Sequence, residues 1–364
     1  MDHSDRLTRA RLALKRGRLD ALVVTHLPNI TYLCGFAGSA GVLIIGPGPA
    51  QRNAVFFTDG RYTQQAHEQV KAARIKILPG KSALVAASEW LAQQASWRRI
   101  GVDAAHLTIA ERNIFAKPLR GKTRLVEAPA IVEQMRMIKD PREVAKIRAA
   151  CRLGTALFDR LLEVVRPGVP ETEVAGELEF AARRLGAQQM AFSTIVASGP
   201  RSALPHGRAS QSALPSKGFV VCDFGVILAG YCSDMTRTLH LGNPPRQARR
   251  AYEAVREAQQ AALDAVKPGA TAGEVDRAAR KLLQKIKLAR FFTHSTGHGV
   301  GLEIHEAPRI AAGQEEALRP GMVITIEPGI YLPGKWGIRI EDTVVVTDSG
   351  YEILTPCPKD LVVV

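Results

Sequence analysis

The chain has 364 residues, room for two domains. Its 46% hydrophobic and 23% charged content exclude a disordered or collagen-like chain and place it among ordinary globular proteins. No apolar run reaches the ~18 residues of a membrane helix, and the polar start from Met1 to Arg6 lacks the apolar stretch of a secretory signal, so no membrane association and a cytoplasmic location are expected. The formal net charge of +14 sits largely in helical segments such as 6–18, 246–256 and 277–290, interleaved with Leu and Ala. That pattern, with 5% aromatic residues, reads as a solvated basic face and argues against a nucleic-acid partner.

In chain order, residues 6–19 predict an amphipathic helix that Ser4 or Asp5 caps. Residues 21–25, 41–45 and 54–58 predict strands, and 62–73 a helix. Strands follow at 74–78 and 99–103, with helices near 83–95 and 107–117. This is an α/β domain on a mixed sheet, assigned to residues 1–130. At the junction, Asp140 is a good N-cap and Pro141 suits the first helical position of a long helix.

The second domain, 131–364, contains an internal echo. Val165-Arg-Pro-Gly-Val-Pro-Glu-Thr-Glu-Val aligns without gaps on Val266-Lys-Pro-Gly-Ala-Thr-Ala-Gly-Glu-Val. Each copy follows one long helix (142–164 and 246–265) and opens another (171–185 and 272–287), with strands after both. Two α-α-β halves about a pseudo-two-fold axis are expected, so the whole chain reads as α/β (α+β). The five scattered cysteines lack C-x-x-C spacing and read as core residues rather than a disulfide framework.

Four carboxylates and a histidine punctuate this domain. Asp223 and Asp234 lie on the arms of a hairpin turned at Ala229-Gly230, His298 stands between glycines, and Glu327 and Glu341 end apolar strands. Each alone has a plain reading: a turn Asp, a strand-closing Glu, a loop His. Together they form a set that is costly to bury without a cationic counterpart. Two divalent ions about 3.5–4 Å apart, bridged by carboxylates, supply it and make a hydroxide available as nucleophile. Oxygen-rich ligands favour manganese, with cobalt, iron or zinc as alternatives.

In these motifs the C-terminal domain resembles the pita-bread metallopeptidases, the family of methionine aminopeptidase, aminopeptidase P, prolidase and creatinase. The resemblance implies that Asp223 chelates one metal, that Asp234 and Glu341 bridge, and that His298 and Glu327 complete the other. Tyr32-Leu-Cys-Gly-Phe-Ala-Gly-Ser-Ala-Gly and Phe57-Thr-Asp-Gly-Arg-Tyr resemble the creatinase-like N-domain of the proline-specific members. An Xaa-Pro dipeptidase or Xaa-Pro aminopeptidase acting on proline-containing peptides is therefore implied, and with it a homodimer. His206, His294 and His305 match positions of that branch that line the substrate pocket and help to shuttle protons. Arg339 is expected to orient a ligand or bind a substrate carboxylate, and Tyr331 to face the pocket. Glu327 is the expected general base, with His305 at the oxyanion or the leaving nitrogen. The alternatives are a broader-specificity aminopeptidase and a non-catalytic protein- or nucleic-acid-binding member of the fold.

Overall fold

The computed structural model describes residues 2–48, 53–119, 121 and 123–364. Contacts divide them into two units, Met1–Arg136 and Met137–Val364.

The first unit begins with α1 (His3–Arg16), β1 (Ala21–Val24), α2 (Leu27–Cys34), β2 (Val42–Ile45) and β3 (Ala54–Thr58). It continues with α3 (Thr63–Gln69), β4 (Arg74–Ile77), α4 (Ala83–Ala92), β5 (Arg99–Val102), α5 (Ile109–Ala116), β6 (Arg124–Glu127) and α6 (Ile131–Met137). The sheet order is β4-β3-β2-β1-β5-β6. It is mixed: β1–β2 and β2–β3 run antiparallel, while β3–β4, β1–β5 and β5–β6 run parallel. Strands β1, β2 and β3 are buried along their whole length, which is why their sequences are unbroken apolar runs. Helix α2 was not expected; its eight residues are too few for a clear period, and it stops at Gly35, whose φ of 88° is left-handed. The N-cap of α1 is Asp2, ahead of the expected Ser4 or Asp5.

The second unit starts with α7 (Pro141–Val164). Asp140 accepts from the amides of Arg142 and Glu143 at 2.8 and 3.1 Å, and Glu143 returns the bond to the Asp140 amide at 3.0 Å. This reciprocal cap satisfies donors that no helical carbonyl can reach. There follow α8 (Glu171–Arg184), β7 (Gln189–Met190), β8 (Ile195–Ser198), β9 (Gly218–Phe224), β10 (Val226–Leu228), β11 (Tyr231–Cys232) and β12 (Met235–Leu241). The other half has α9 (Arg246–Asp264), α10 (Ala272–Lys285), β13 (Gly297–Gly299), β14 (Glu306–Ile310), β15 (Val323–Ile326), β16 (Gly329–Leu332), β17 (Trp336–Arg339), β18 (Asp342–Val346) and β19 (Tyr351–Ile353). The sheets run β12-β9-β8, β11-β10-β7, β14-β13-β15-β18-β19 and β16-β17.

The internal echo is a true structural repeat. Gly168 and Gly269 take φ of 85° and 86° and stop the first helix of each half. Gly168 N–H donates to Leu214 O at 2.8 Å, and Gly269 N–H to Leu318 O at 2.9 Å. The returns match as well: Leu214 N–H to Val169 O and Leu318 N–H to Ala270 O, both 2.8 Å. Each half packs its helix pair on its own strands. Leu157, Leu161 and Leu178 lie under β9 and β12, and Val255, Leu263 and Leu283 under β15 and β18. A fully buried Leu or Val contributes ~1.5–3 kcal/mol, so each half holds its strands against a rigid back.

The two halves join along β12. Thr238 Oγ1 donates to Arg339 O at 2.8 Å, Glu341 N–H donates to Thr236 O at 3.2 Å, and Thr343 Oγ1 donates to Asp234 O at 2.8 Å. The acids of one half thereby come to face those of the other. All five cysteines are buried, and none is joined to another in a disulfide.

Candidate metal centre

The hairpin that carries the first two acids is not continuous. It splits at Gly225 and at Ser233-Asp234, so that β9–β12 and β10–β11 belong to different sheets. Glycine is required at the split, because a Cβ on Gly225 would lie 1.9 Å from Ser233 O. Asp223 consequently pairs with Thr236, and Asp234 sits in the gap just before β12. His298 is threaded through a similarly narrow place: a Cβ on Gly297 would lie 1.9 Å from Thr325 O, and one on Gly299 2.2 Å from Ala307 O. The glycines around His298 thus admit neighbouring backbone; they do not form a phosphate loop.

Asp223, Asp234, His298, Glu327 and Glu341 come together on the wall of one cavity of about 910 Å³. Oxygens of Asp234 and Glu341 and a ring nitrogen of His298 all lie within 4.8 Å of one another. His298 Nε2 is 3.5 Å from Asp234 Oδ2 and 3.4 Å from Glu327 Oε1. His298 Nδ1 is 3.0 Å from Gly299 O. Only an Nδ1–H can make that bond, so a neutral ring turns its bare Nε2 lone pair toward two carboxylates. Burial lowers the His298 pKa to about 4 and keeps the ring neutral.

Arg339 organises the acids. Its Nη2 donates to Asp223 Oδ2 at 2.6 Å. Its Nε donates to Thr236 Oγ1 at 3.0 Å, and Thr236 Oγ1 passes a bond of 2.6 Å to Glu341 Oε2. Its Nη1 reaches Tyr331 Oη at 2.6 Å and Pro205 O at 3.0 Å. Burial works against the guanidinium charge, but Tyr331, Asp223, Glu327 and Glu341 outweigh it and hold its pKa above the ordinary value.

One guanidinium does not balance four carboxylates. Burial first, then the charges of Glu341, Asp223 and Glu327, push Asp234 well above the ordinary range. Burial, then Glu327 and Asp223, do the same to Glu341. Burial raises Glu327 to about 8, with Asp223 adding to the rise and Arg339 and the Thr325 hydroxyl opposing it. Among the described residues, Asp223 Oδ1 is buried with no hydrogen-bond partner. An orphaned carboxylate oxygen, a bare imidazole nitrogen and crowded acids on hard oxygen donors are the features a divalent cation site presents. The residues fit such ions.

Of the remaining expected residues, His206, His294, His305 and Arg339 line the same cavity, whereas Tyr331, expected to face it, is buried behind His294 and Arg339 and is not part of its wall. Tyr331 Oη, which accepts from Arg339, is 2.9 Å from His294 Nε2, so the phenol proton goes to His294. His294 Nδ1 is 2.8 Å from Ser295 O. Both ring nitrogens of His294 are committed, and burial and the Arg339 charge lower its pKa to about 4. It therefore offers the cavity a ring face, not a mobile proton. His305 packs edge-on against His298 with centroids 4.3 Å apart; both His305 and His206 line the cavity from more exposed positions. Burial, then the neighbouring His206, lower the His305 pKa. Phe192, Ile195 and Ile304 form apolar wall.

Several residues that shape the site carried no obvious mark in the sequence. Thr236 and Thr325 each stand two positions along the chain from an acid, a spacing that would have flagged them. Thr325 Oγ1 takes the His298 amide at 3.0 Å and donates to Glu327 Oε1 at 3.2 Å. Arg208 and Arg309, exposed on the cavity wall, had no local signature.

Two repeated halves around a buried acid–histidine centre define a metalloprotein of pita-bread architecture. The chain belongs to metallopeptidase family M24: that family's profile matches residues 145–348, and that of the creatinase/prolidase N-terminal domain matches residues 6–138. It is an enzyme of the metallopeptidase class and uses divalent metal ions. Among its relatives, the Xaa-Pro dipeptidase of Pyrococcus horikoshii is 35% identical over 352 residues, covering 96% of each chain. A solved Xaa-Pro dipeptidase from Bacillus anthracis superposes with a TM-score of 0.94 at 36% identity over all of both chains. The X-Pro aminopeptidase of Thermotoga maritima gives 0.87 at 34% identity, over 97% of this chain and 100% of its own.

Proposed function

We propose that the chain hydrolyses the peptide bond between an N-terminal residue and a following proline. The observation that carries this reading is the unpartnered Asp223 Oδ1 inside a centre of four acids and a neutral His298, in a chain similar throughout to Xaa-Pro peptidases. Asp223, Asp234, His298, Glu327 and Glu341 hold two divalent ions, and the preponderance of oxygen donors favours manganese over zinc. When bound, such ions polarise the scissile carbonyl and make a water nucleophilic at neutral pH.

The chain's own groups do the rest. Glu327 has Oε1 engaged by the Thr325 hydroxyl, which leaves Oε2 to take a proton as general base. His305, on the cavity wall beside His298, steadies the oxyanion or protonates the proline nitrogen as it leaves. The face of His294, backed by Tyr331, and the apolar Phe192 and Ile195 make a wall suited to a pyrrolidine ring, and His206 closes the mouth. Arg208 and Arg309 line the same cavity, and among the described residues no carboxylate pairs with either. Two open cations beside the metal centre complement the free carboxylate of a dipeptide, so the preferred substrate is an Xaa-Pro dipeptide. The catalytic assignment rests on the domain from residue 131 onward, with 1–130 as the N-terminal domain. A cytoplasmic homodimer completes the proposal.

The test is a panel of Gly-Pro, Gly-Pro-Xaa and Met-Ala peptides, with manganese and with chelator. Metal-dependent cleavage of Gly-Pro ahead of Gly-Pro-Xaa supports the reading. Cleavage of Met-Ala alone overturns the proline assignment.

A further inference from the structure

Glu171, the first residue of α8, is fully buried, yet it lies outside the metal centre. Its Oε1 accepts from the Ser198 amide at 2.8 Å and the Ser198 hydroxyl at 2.9 Å. Its Oε2 accepts from Arg201 Nε at 3.0 Å, the Ser210 amide at 3.1 Å and the Ser210 hydroxyl at 2.8 Å. One carboxylate thus ties together both feet of the loop 199–209. Arg201 spans the loop from the same anchor, because its Nη2 also donates to Arg208 O at 2.7 Å. The loop delivers Pro205, His206 and Arg208 to the cavity wall, and Pro205 O receives Arg339 Nη1.

The internal repeat separates what the fold needs from what the loop needs. The residue equivalent to Glu171 in the second half is Ala272. The backbone bond is the same in both: Glu171 N–H to Ser212 O at 3.0 Å, and Ala272 N–H to Glu316 O at 2.9 Å. In the second half Thr271 caps the helix and alanine follows it, so the shared backbone bond does not depend on a carboxylate at this position. Both halves send a loop to the cavity, the second one with Ile304 and His305, but the buried carboxylate at the helix start is present only in the half that carries the 199–209 loop. A buried charge is costly unless several donors meet it, and here every donor comes from that loop and its feet.

We infer that Glu171 is a positioning residue: it holds the 199–209 loop in place and, through it, sets His206 and Arg208 against the substrate. The kinetic part of this inference rests on the Xaa-Pro reading above; the structural part does not. The experiment compares wild type, Glu171→Gln and Glu171→Ala in the intact enzyme by hydrogen–deuterium exchange of peptides covering 199–209, bound-metal stoichiometry, and KM and kcat on Gly-Pro. Glutamine keeps the shape but sets its amide against donors, so it serves as the variant least at risk of misfolding. The expected result is faster exchange confined to 199–209, unchanged metal content, and a KM raised about 10- to 100-fold with kcat changed much less. Exchange in 199–209 equal to wild type overturns the inference. So does faster exchange with an unchanged KM, and so does loss of bound metal in step with activity, which would make Glu171 a residue of the fold. If wild type itself leaves Gly-Pro intact, the Xaa-Pro reading fails, while the exchange result still decides whether Glu171 holds the loop.

Discussion

Stripping the metal should make this protein less stable as pH rises above 6.5. The perturbation is chelation, which leaves four buried carboxylates facing one another with Arg339 as the buried cation in contact with them. Glu327 has its pKa raised to about 8 by burial and by Asp223. A group whose folded-state pKa lies above its unfolded value contributes stability fully below the unfolded value, here ~4.3. That contribution is lost as pH climbs through about 8. His294 and His298 act the other way: their pKa values of about 4 make stability rise between about 4 and 6.5 and then level off. Above 6.5 the acids act alone. For Glu327 the remaining ~1.5 pH units correspond to about 2 kcal/mol. Asp234 and Glu341, raised for the same reason, add in the same direction. In a unit of this size about 2 kcal/mol moves Tm by roughly 4–8 °C. The assay is scanning calorimetry in excess chelator from pH 6.5 to 8.5, with the manganese-loaded protein and Glu327→Gln as references. Chelated wild type should lose Tm across this range, Glu327→Gln should lose less, and the loaded protein should hold level. A Tm of the chelated protein that stays flat or rises would refute the reasoning.

Replacing Arg339 by Met removes the donor to Asp223 and the link through Thr236 to Glu341. Metal affinity should fall about 10- to 100-fold, read by competition with a chromophoric chelator. Gly297→Ala places a Cβ 1.9 Å from Thr325 O, and urea unfolding should record a loss of about 3 kcal/mol or more. Arg208→Ala and Arg309→Ala should each raise KM for Gly-Pro about tenfold while leaving Gly-Pro-amide nearly unchanged, because the amide lacks the carboxylate these cations face; equal effects on both substrates would remove the carboxylate role.

The parts of the fold that depend on short-range pattern were plain in the sequence. Asp140 and Pro141 announced the start of α7, and the paired Pro-Gly turns announced the repeat, because caps and left-handed glycines impose local rules that few residues satisfy. Helix α2 and the break in the acid-bearing hairpin were not plain. The first is too short to show a period, and the second arises from the close approach of Gly225 to the Ser233 carbonyl, a contact across the hairpin. The acids and histidines of the centre stood out because charged groups inside apolar strands need an explanation. The polar groups around them did not: Thr236 and Thr325 at the centre, and Glu171 behind the 199–209 loop, are ordinary polar residues until the fold gives them partners. His294 shows the opposite limit. Its residue type suggested proton traffic, whereas its bonds to Ser295 and Tyr331 leave neither nitrogen available.

Anomalous scattering from crystals grown with manganese tests the central claim most directly. Two peaks per chain should appear within coordination distance of Asp223, Asp234, His298, Glu327 and Glu341, with Asp223 Oδ1 on one of them. A centre that stays free of anomalous signal at saturating manganese, its carboxylates sharing protons instead, would contradict it.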